Sequence, residues 1–148
     1  MITFAEMKNK TVIITGASSG IGKACAEAFA KRGANIVISG RNSENLENAA
    51  TELRKTGAEI LTVAGDVSNE NDCKILIEKT IKKFGGIDIL INNAGISMRA
   101  LFKGINLDVI RKVMDINFWG TVYCTNYALP YLLKSKGSVV GISSIEGY

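Results

Sequence analysis

The stretch Thr11-Val12-Ile13-Ile14-Thr15-Gly16-Ala17-Ser18-Ser19-Gly20-Ile21-Gly22 decides how the chain is organised. Thr11 to Thr15 is apolar and β-branched, the composition of a buried strand. Glycines follow at Gly16, Gly20 and Gly22. Ile21, Ala24, Cys25, Ala28 and Phe29 then recur at helical spacing and predict one apolar stripe. A strand that turns through glycines into a helix aims the helix's free N–H groups and positive dipole end at whatever lies above the turn. An anion belongs there, and a pyrophosphate fits best. Gly16 allows the tight turn, Gly20 lets a ligand approach the backbone, and Gly22 lets the helix pack close to the strand.

Outward from that stretch, the 148 residues read as one domain, long enough to bury roughly 68–70% of the unfolded surface. Hydrophobic residues make up 47% and charged residues 22%, as in ordinary globular chains. The net charge of +4 is mild and dispersed along the chain. It does not make a nucleic-acid groove, though it suits an anionic ligand. Cys25, Cys73 and Cys124 are odd in number and far apart in sequence, and read as reduced small hydrophobes on helix faces. The absence of histidine excludes imidazole chemistry and His-ligated metals, and no metal site is expected. Met1 to Lys10 lacks the apolar core of a signal peptide, and no run approaches the length of a membrane span. A cytoplasmic protein without membrane or nucleic-acid partners is the expectation.

Further along, Gly33 ends the first helix and Asn35 to Ser39 forms a second strand. Ser43 is predicted to cap a helix with Leu46, Ala49, Ala50 and Leu53 on one face, stopped at Gly57. Glu59 to Ala64 is the third strand. Ser68 is predicted to cap a helix carrying Cys73, Leu76, Ile77, Ile81 and Phe84, ended by Gly85 and Gly86. Ile87 to Ile91 is the fourth strand. Asn106 and Asp108 open a long helix, with Val109, Ile110, Val113, Met114 and Ile116 apolar, running to about Leu133 and kinked at Pro130. Ser138 to Ile142 is the fifth strand. Strands alternating with helices predict an α/β fold: a doubly wound parallel sheet, ordered 3-2-1-4-5, with helices on both faces. Ligands in such sheets sit beyond the strand C-termini at the switch point, between strands one and four.

The glycine spacing T-G-x-x-x-G-x-G resembles the cofactor loop of the short-chain dehydrogenase/reductase family, which implies a Rossmann-like fold. Four later segments resemble that family in order: Asp66-Val67, Asn92-Asn93-Ala94-Gly95, Asn117-Phe118-Trp119-Gly120-Thr121, and Gly141-Ile142-Ser143-Ser144. The resemblance implies that Gly16, Ser18, Ser19, Gly20, Ile21 and Gly22 hold a dinucleotide pyrophosphate. It implies that Asp66 meets the adenine amine while Val67 packs on the ring. Asn93 would line the ribose, and small Ala94 and Gly95 would let the cofactor come close. Asn117 would be catalytic, holding an active-site lysine through a water, and Ser144 would hydrogen-bond the substrate carbonyl. By spacing alone Asn117 shares the apolar stripe of its helix, where a buried amide must find partners or cost roughly 1–3 kcal/mol. After the second strand, Ser39-Gly40-Arg41-Asn42 carries no acid for a ribose hydroxyl, and Arg41 can grip a 2′-phosphate. NADP(H) is therefore preferred over NAD(H), with Asn42 beside it in the site.

The family's tyrosine, with a lysine four residues on, would fall about a dozen residues beyond Ser144; Tyr148 is too early for that role. A phenol with an ordinary pKa near 10 needs about 4 kcal/mol of help to work near pH 7. The 148 residues alone are thus expected to bind cofactor without turnover, as the first part of a chain of roughly 250 residues. The expected whole protein reduces a carbonyl or oxidises a secondary alcohol, as a homodimer or homotetramer. Its interface is implied on the long helix, with Phe118, Tyr123 and Tyr127 as the apolar back face. The rival readings are a non-catalytic NADP-binding sensor on the same fold and an S-adenosylmethionine methyltransferase. The loop spacing and Arg41 count against the methyltransferase, and the presence of both Asn117 and Ser144 counts against the sensor.

Overall fold

The computed structural model describes residues 7–144. Tyr148 and the first six residues, on which expectations also fell, lie outside the described residues. Five strands, β1 (Thr11–Thr15), β2 (Asn35–Gly40), β3 (Ile60–Ala64), β4 (Ile89–Asn92) and β5 (Ser138–Gly141), form one sheet. Every pairing is parallel and the order is β3-β2-β1-β4-β5, as the alternation of strands and helices requires. Between them run α1 (Gly20–Ala30), α2 (Ser43–Arg54), α3 (Glu70–Phe84), α4 (Leu107–Met114) and α5 (Gly120–Ser135). A π-helical turn, Asp115–Trp119, joins α4 to α5.

Because strand side chains alternate, β1 feeds two cores at once. Val12 and Ile14 meet Ile36, Ile38, Leu46, Ala50 and Leu53 beneath α1 and α2. Ile13 meets Val37, Leu90, Leu76, Ile77 and Leu132 beneath α3 and α5. The β1 side chains are almost wholly buried, and each large aliphatic contributes about 1.5–3 kcal/mol by leaving water.

Several local expectations shift. The buried residues of α1 are Gly22, Ala26 and Ala30, four apart, which let the helix lie close to the sheet. The predicted stripe is therefore turned: Ile21 is 62% exposed, Ala24 and Ala28 face solvent, and Cys25 and Phe29 are only half-buried. The caps fall one residue away from the predicted serines. Asn42 Oδ1 accepts from Asn45 N at 2.8 Å, and Asn69 Oδ1 accepts from Asn71 N at 2.9 Å. An asparagine side chain reaches those N–H groups readily, which places Ser43 inside α2 and leaves Ser68 in the preceding turn. The strand β4 begins at Ile89, two residues late, although the Asp88 backbone already bonds Thr11 O and Ser138 N while its carboxylate accepts from Lys10 and the Thr11 N–H.

The predicted long helix runs without a gap from Leu107 to Ser135, but it widens to a π turn at Asp115–Trp119, and α5 carries Pro130 within it. No residue of α4 is buried; Val109 and Met114 are exposed. The predicted back face also divides. Phe118 is half-exposed, whereas Tyr123 and Tyr127 pack against the core beneath α3, and Tyr127 donates to Glu70 Oε1 at 2.8 Å. Among the described residues the last strand, β5, pairs with β4 alone and is exposed along its length, an apolar run left as an edge.

Candidate functional site

A cleft of about 230 Å³ opens at the C-terminal edge of the sheet, where the strand order reverses between β1 and β4. It is lined by Gly16, Ser18, Ser19, Arg41, Asp66, Val67, Ala94 and Gly95, all singled out from sequence. Ile96, the first residue of a segment (96–103) that the sequence offers as a pocket wall, lines it as well, and so do Gly40, Gly65 and Ile116, which were missed. Gly40 ends β2 and Gly65 directly follows β3, positions where absent side chains leave room; Ile116 gave no signal beyond being apolar.

The glycine turn is built as its residues require. Gly16 has φ +64°, and a Cβ there would sit 2.8 Å from Ala94 Cα. Gly20 has φ +57° and open space where a Cβ would be, so a ligand can reach the backbone at that point. Gly22 closes on the turn itself: a Cβ would press on the Asn93 side-chain nitrogen and lie 2.8 Å from Gly16 O. Ser19, ahead of α1, makes no side-chain cap bond. Gly20, Ile21 and Gly22 do not line the cleft, and Ile21 points to solvent.

Thr15 ties β1 to β4 and was also missed. Its Oγ1 accepts from Asn93 N and Ala94 N, each at 3.0 Å. Asn93 Nδ2 donates to Thr15 O at 2.9 Å and Gly16 O at 3.1 Å, so this amide shapes the turn and does not line the cleft. Asn92 ties β4 to α5, donating to Thr125 Oγ1 at 3.1 Å. At the far wall, Asp66 Oδ1 accepts from Ser68 N at 3.0 Å and Ser68 Oγ at 2.8 Å, which fixes the carboxylate beside Val67. Arg41 lies at the mouth with Ser18, while Asn42 is spent capping α2.

Asn117 sits in the π turn and is exposed, not buried as its spacing predicts. The α-helical period assumed between Ile110 and Asn117 fails where the helix widens. Its amide pairs at both ends with one residue's backbone: Oδ1 accepts from Ile96 N and Nδ2 donates to Ile96 O, both at 2.9 Å. Asn117 thus braces the Gly95–Ile96 wall from outside the cleft. Ser144 is exposed beyond the end of β5 and is not among the lining residues.

The cleft fits a nicotinamide dinucleotide on its own terms: a glycine turn open at Gly20, a cation at one mouth, and a fixed carboxylate beside a valine at the far wall. A family model described as short chain dehydrogenase matches residues 10–148. The chain is 46% identical over 143 residues to an 11-beta-hydroxysteroid dehydrogenase-like protein of Arabidopsis thaliana, covering 95% of this chain and 46% of that one. Among solved structures it resembles a short-chain dehydrogenase/reductase of unknown function from Caenorhabditis elegans with cofactor. There the TM-score is 0.88 and the identity 39%, over 94% of this chain and 54% of that one. It also resembles L-sorbose reductase from Gluconobacter frateurii complexed with NADPH and L-sorbose, with TM-score 0.93 and 32% identity over 97% and 55% of the two chains. The chain spans about half the length of the relatives it matches.

Proposed function

The chain belongs to the short-chain dehydrogenase family, and on that premise we propose that it carries the cofactor-binding part of an NADP(H)-dependent carbonyl reductase or alcohol dehydrogenase. When bound, the nicotinamide cofactor exchanges a hydride with the substrate carbon. Gly16, Ser18, Ser19 and the open backbone at Gly20 bind the pyrophosphate. Asp66 and Val67 hold the adenine, and Ala94 and Gly95 admit the ribose without a side chain in the way. Ser144 hydrogen-bonds the substrate carbonyl oxygen through its hydroxyl, orienting and polarising it, and Asn117 keeps the Ile96 wall in place for a lysine supplied by further chain, with the tyrosine acid. The relatives' names put a hydroxysteroid-like secondary alcohol, or its ketone, first among substrates to assay. The whole protein works as a homodimer or homotetramer through the exposed apolar residues Phe118, Val122, Leu129 and Leu133. Its three free thiols suit a reducing compartment such as the cytoplasm.

The observation that carries the cofactor choice is Arg41 lining the cleft with Ser18 at the end of β2, where Ser39 to Ser43 carries no acid to take up a ribose hydroxyl. A guanidinium there makes charge-assisted bonds to a 2′-phosphate that a neutral hydroxyl cannot match. Titration calorimetry with NADPH and NADH tests it. Arg41→Ala is expected to weaken NADPH by about tenfold to a hundredfold and to leave NADH little changed. Equal affinity of the unaltered protein for the two cofactors would overturn the preference.

A further inference from the structure

Two cysteines that lie 51 residues apart in sequence meet in the core between α3 and α5. Cys73 is 1% exposed and Cys124 is fully buried, with their sulfurs 3.5 Å apart. The thiols form a relay: Cys124 Sγ donates to Cys73 Sγ, and Cys73 Sγ donates to Val67 O at 3.3 Å. Val67 lines the cleft beside Asp66. One turn before Cys124 on the same helix, Gly120 is pressed against that residue: a Cβ there would lie 2.7 Å from Val67 Cγ2. Cys25, the remaining cysteine, packs in the other layer and cannot reach the pair.

We propose that Cys73 and Cys124 are a redox-responsive pair whose closure to a disulfide loosens the cleft at Val67; that this wall is the adenine end rests on the function proposed above. A disulfide has an S–S length of about 2.05 Å, so closing the pair draws the sulfurs together by roughly 1.5 Å. It also consumes the S–H that Val67 O accepts. With Gly120 already in contact, α5 cannot follow its cysteine towards α3 without displacing Val67.

The chemistry needs an oxidant small enough to enter, and a hydroperoxide serves. The Cys73 thiolate attacks the peroxide oxygen; the O–O bond breaks, giving a Cys73 sulfenic acid and, with a proton, water or an alcohol. The Cys124 sulfur then displaces the sulfenic oxygen, which leaves as water with the Cys124 proton, and the S–S bond forms. Two thiols are oxidised by two electrons and one peroxide is reduced. The roles follow the relay: the bond from Cys124 holds the Cys73 thiol below its usual range, while donation to Cys73 and burial push Cys124 up.

The test uses the full-length protein carrying Cys25→Ser, treated with hydrogen peroxide at low excess and read by peptide mapping and amide hydrogen exchange. A Cys73–Cys124 cross-linked peptide is expected, with faster exchange in residues 65–69 and a Kd for NADPH raised about fivefold or more, all reversed by dithiothreitol. Cys124→Ala and, as a variant that keeps a hydrogen-bonding group there, Cys124→Ser should form no cross-link and show no peroxide response. Oxidation that stops at a sulfinic acid without the cross-link overturns the proposal. So does a cross-link that leaves exchange at 65–69 unchanged. A cross-link with faster exchange in a protein that binds no NADPH in either state upholds the pair and overturns the cofactor reading.

Discussion

A Cβ at position 22 would lie 2.8 Å from the Gly16 carbonyl oxygen, which is backbone and cannot swing aside, and would also press on the Asn93 amide that bonds it. Gly22→Ala is therefore expected to cost about 1–3 kcal/mol, by overpacking, and to spread the turn that the pyrophosphate needs. Gly86→Ala, where a Cβ meets nothing within 4 Å, is the control. Thermal melts of both, with an NADPH titration of Gly22→Ala, check this; equal melting temperatures would mean the turn relaxes freely. The same scale shows what sequence conveys about a site. Gly16, Gly20 and Gly22 are legible because each answers a backbone demand. Asn93 is legible as a strand-end amide, but its bonds to Thr15 and Gly16 depend on β1 and β4 being neighbours. Asn117 keeps its motif and loses its predicted burial, because its partner is the backbone of Ile96, 21 residues away.

At the scale of elements, the strands were the most legible part. β-branched runs such as Ile36-Val37-Ile38 have one stable destination, between two helical layers. Helix faces were less so: α2 buries all four predicted residues and α3 buries Cys73, Leu76 and Ile77 but leaves Ile81 and Phe84 half-buried, while α1 turns away from its larger ones because Gly22, Ala26 and Ala30 allow a closer approach. Nothing in Asp115-Ile116-Asn117-Phe118-Trp119 marks a π turn, since it contains neither proline nor glycine. The packing of α3 on α5 brings a pH response. Donation to the Glu70 carboxylate raises the Tyr127 pKa above its usual value near 10, and the bond exists only while the phenol holds its proton. The folded pKa is the higher one, so the contribution is complete below about pH 10 and is lost as pH rises through the folded value. The melting-temperature advantage over Tyr127→Phe should be constant from about pH 7 to 9 and shrink above about pH 10, by differential scanning calorimetry. An advantage that grows with alkalinity would contradict the bond.

For the molecule as a whole, the two sides of the sheet end differently. β3 is an edge strand shielded by α2, whereas β5 leaves Val139, Val140 and Ile142 exposed beside an unpaired ladder. Phe118, Trp119, Val122, Leu129 and Leu133 add a second exposed apolar surface along the π turn and α5. Bare edges and contiguous apolar surface drive association in water, and a net charge of +4 is a weak counterweight. The 148 residues expressed alone should therefore self-associate, with a weight-average mass by sedimentation velocity that climbs with concentration. Val140→Lys puts a charge on the open ladder and removes an exposed aliphatic while leaving both cores untouched. If the edge drives the association, that substitution should lower it with little change in melting temperature; if Leu133→Lys lowers it instead, the α5 face does. A monodisperse monomer of the unaltered chain at high concentration would show that neither surface is sticky, and would remove the support those residues lend to a homodimer.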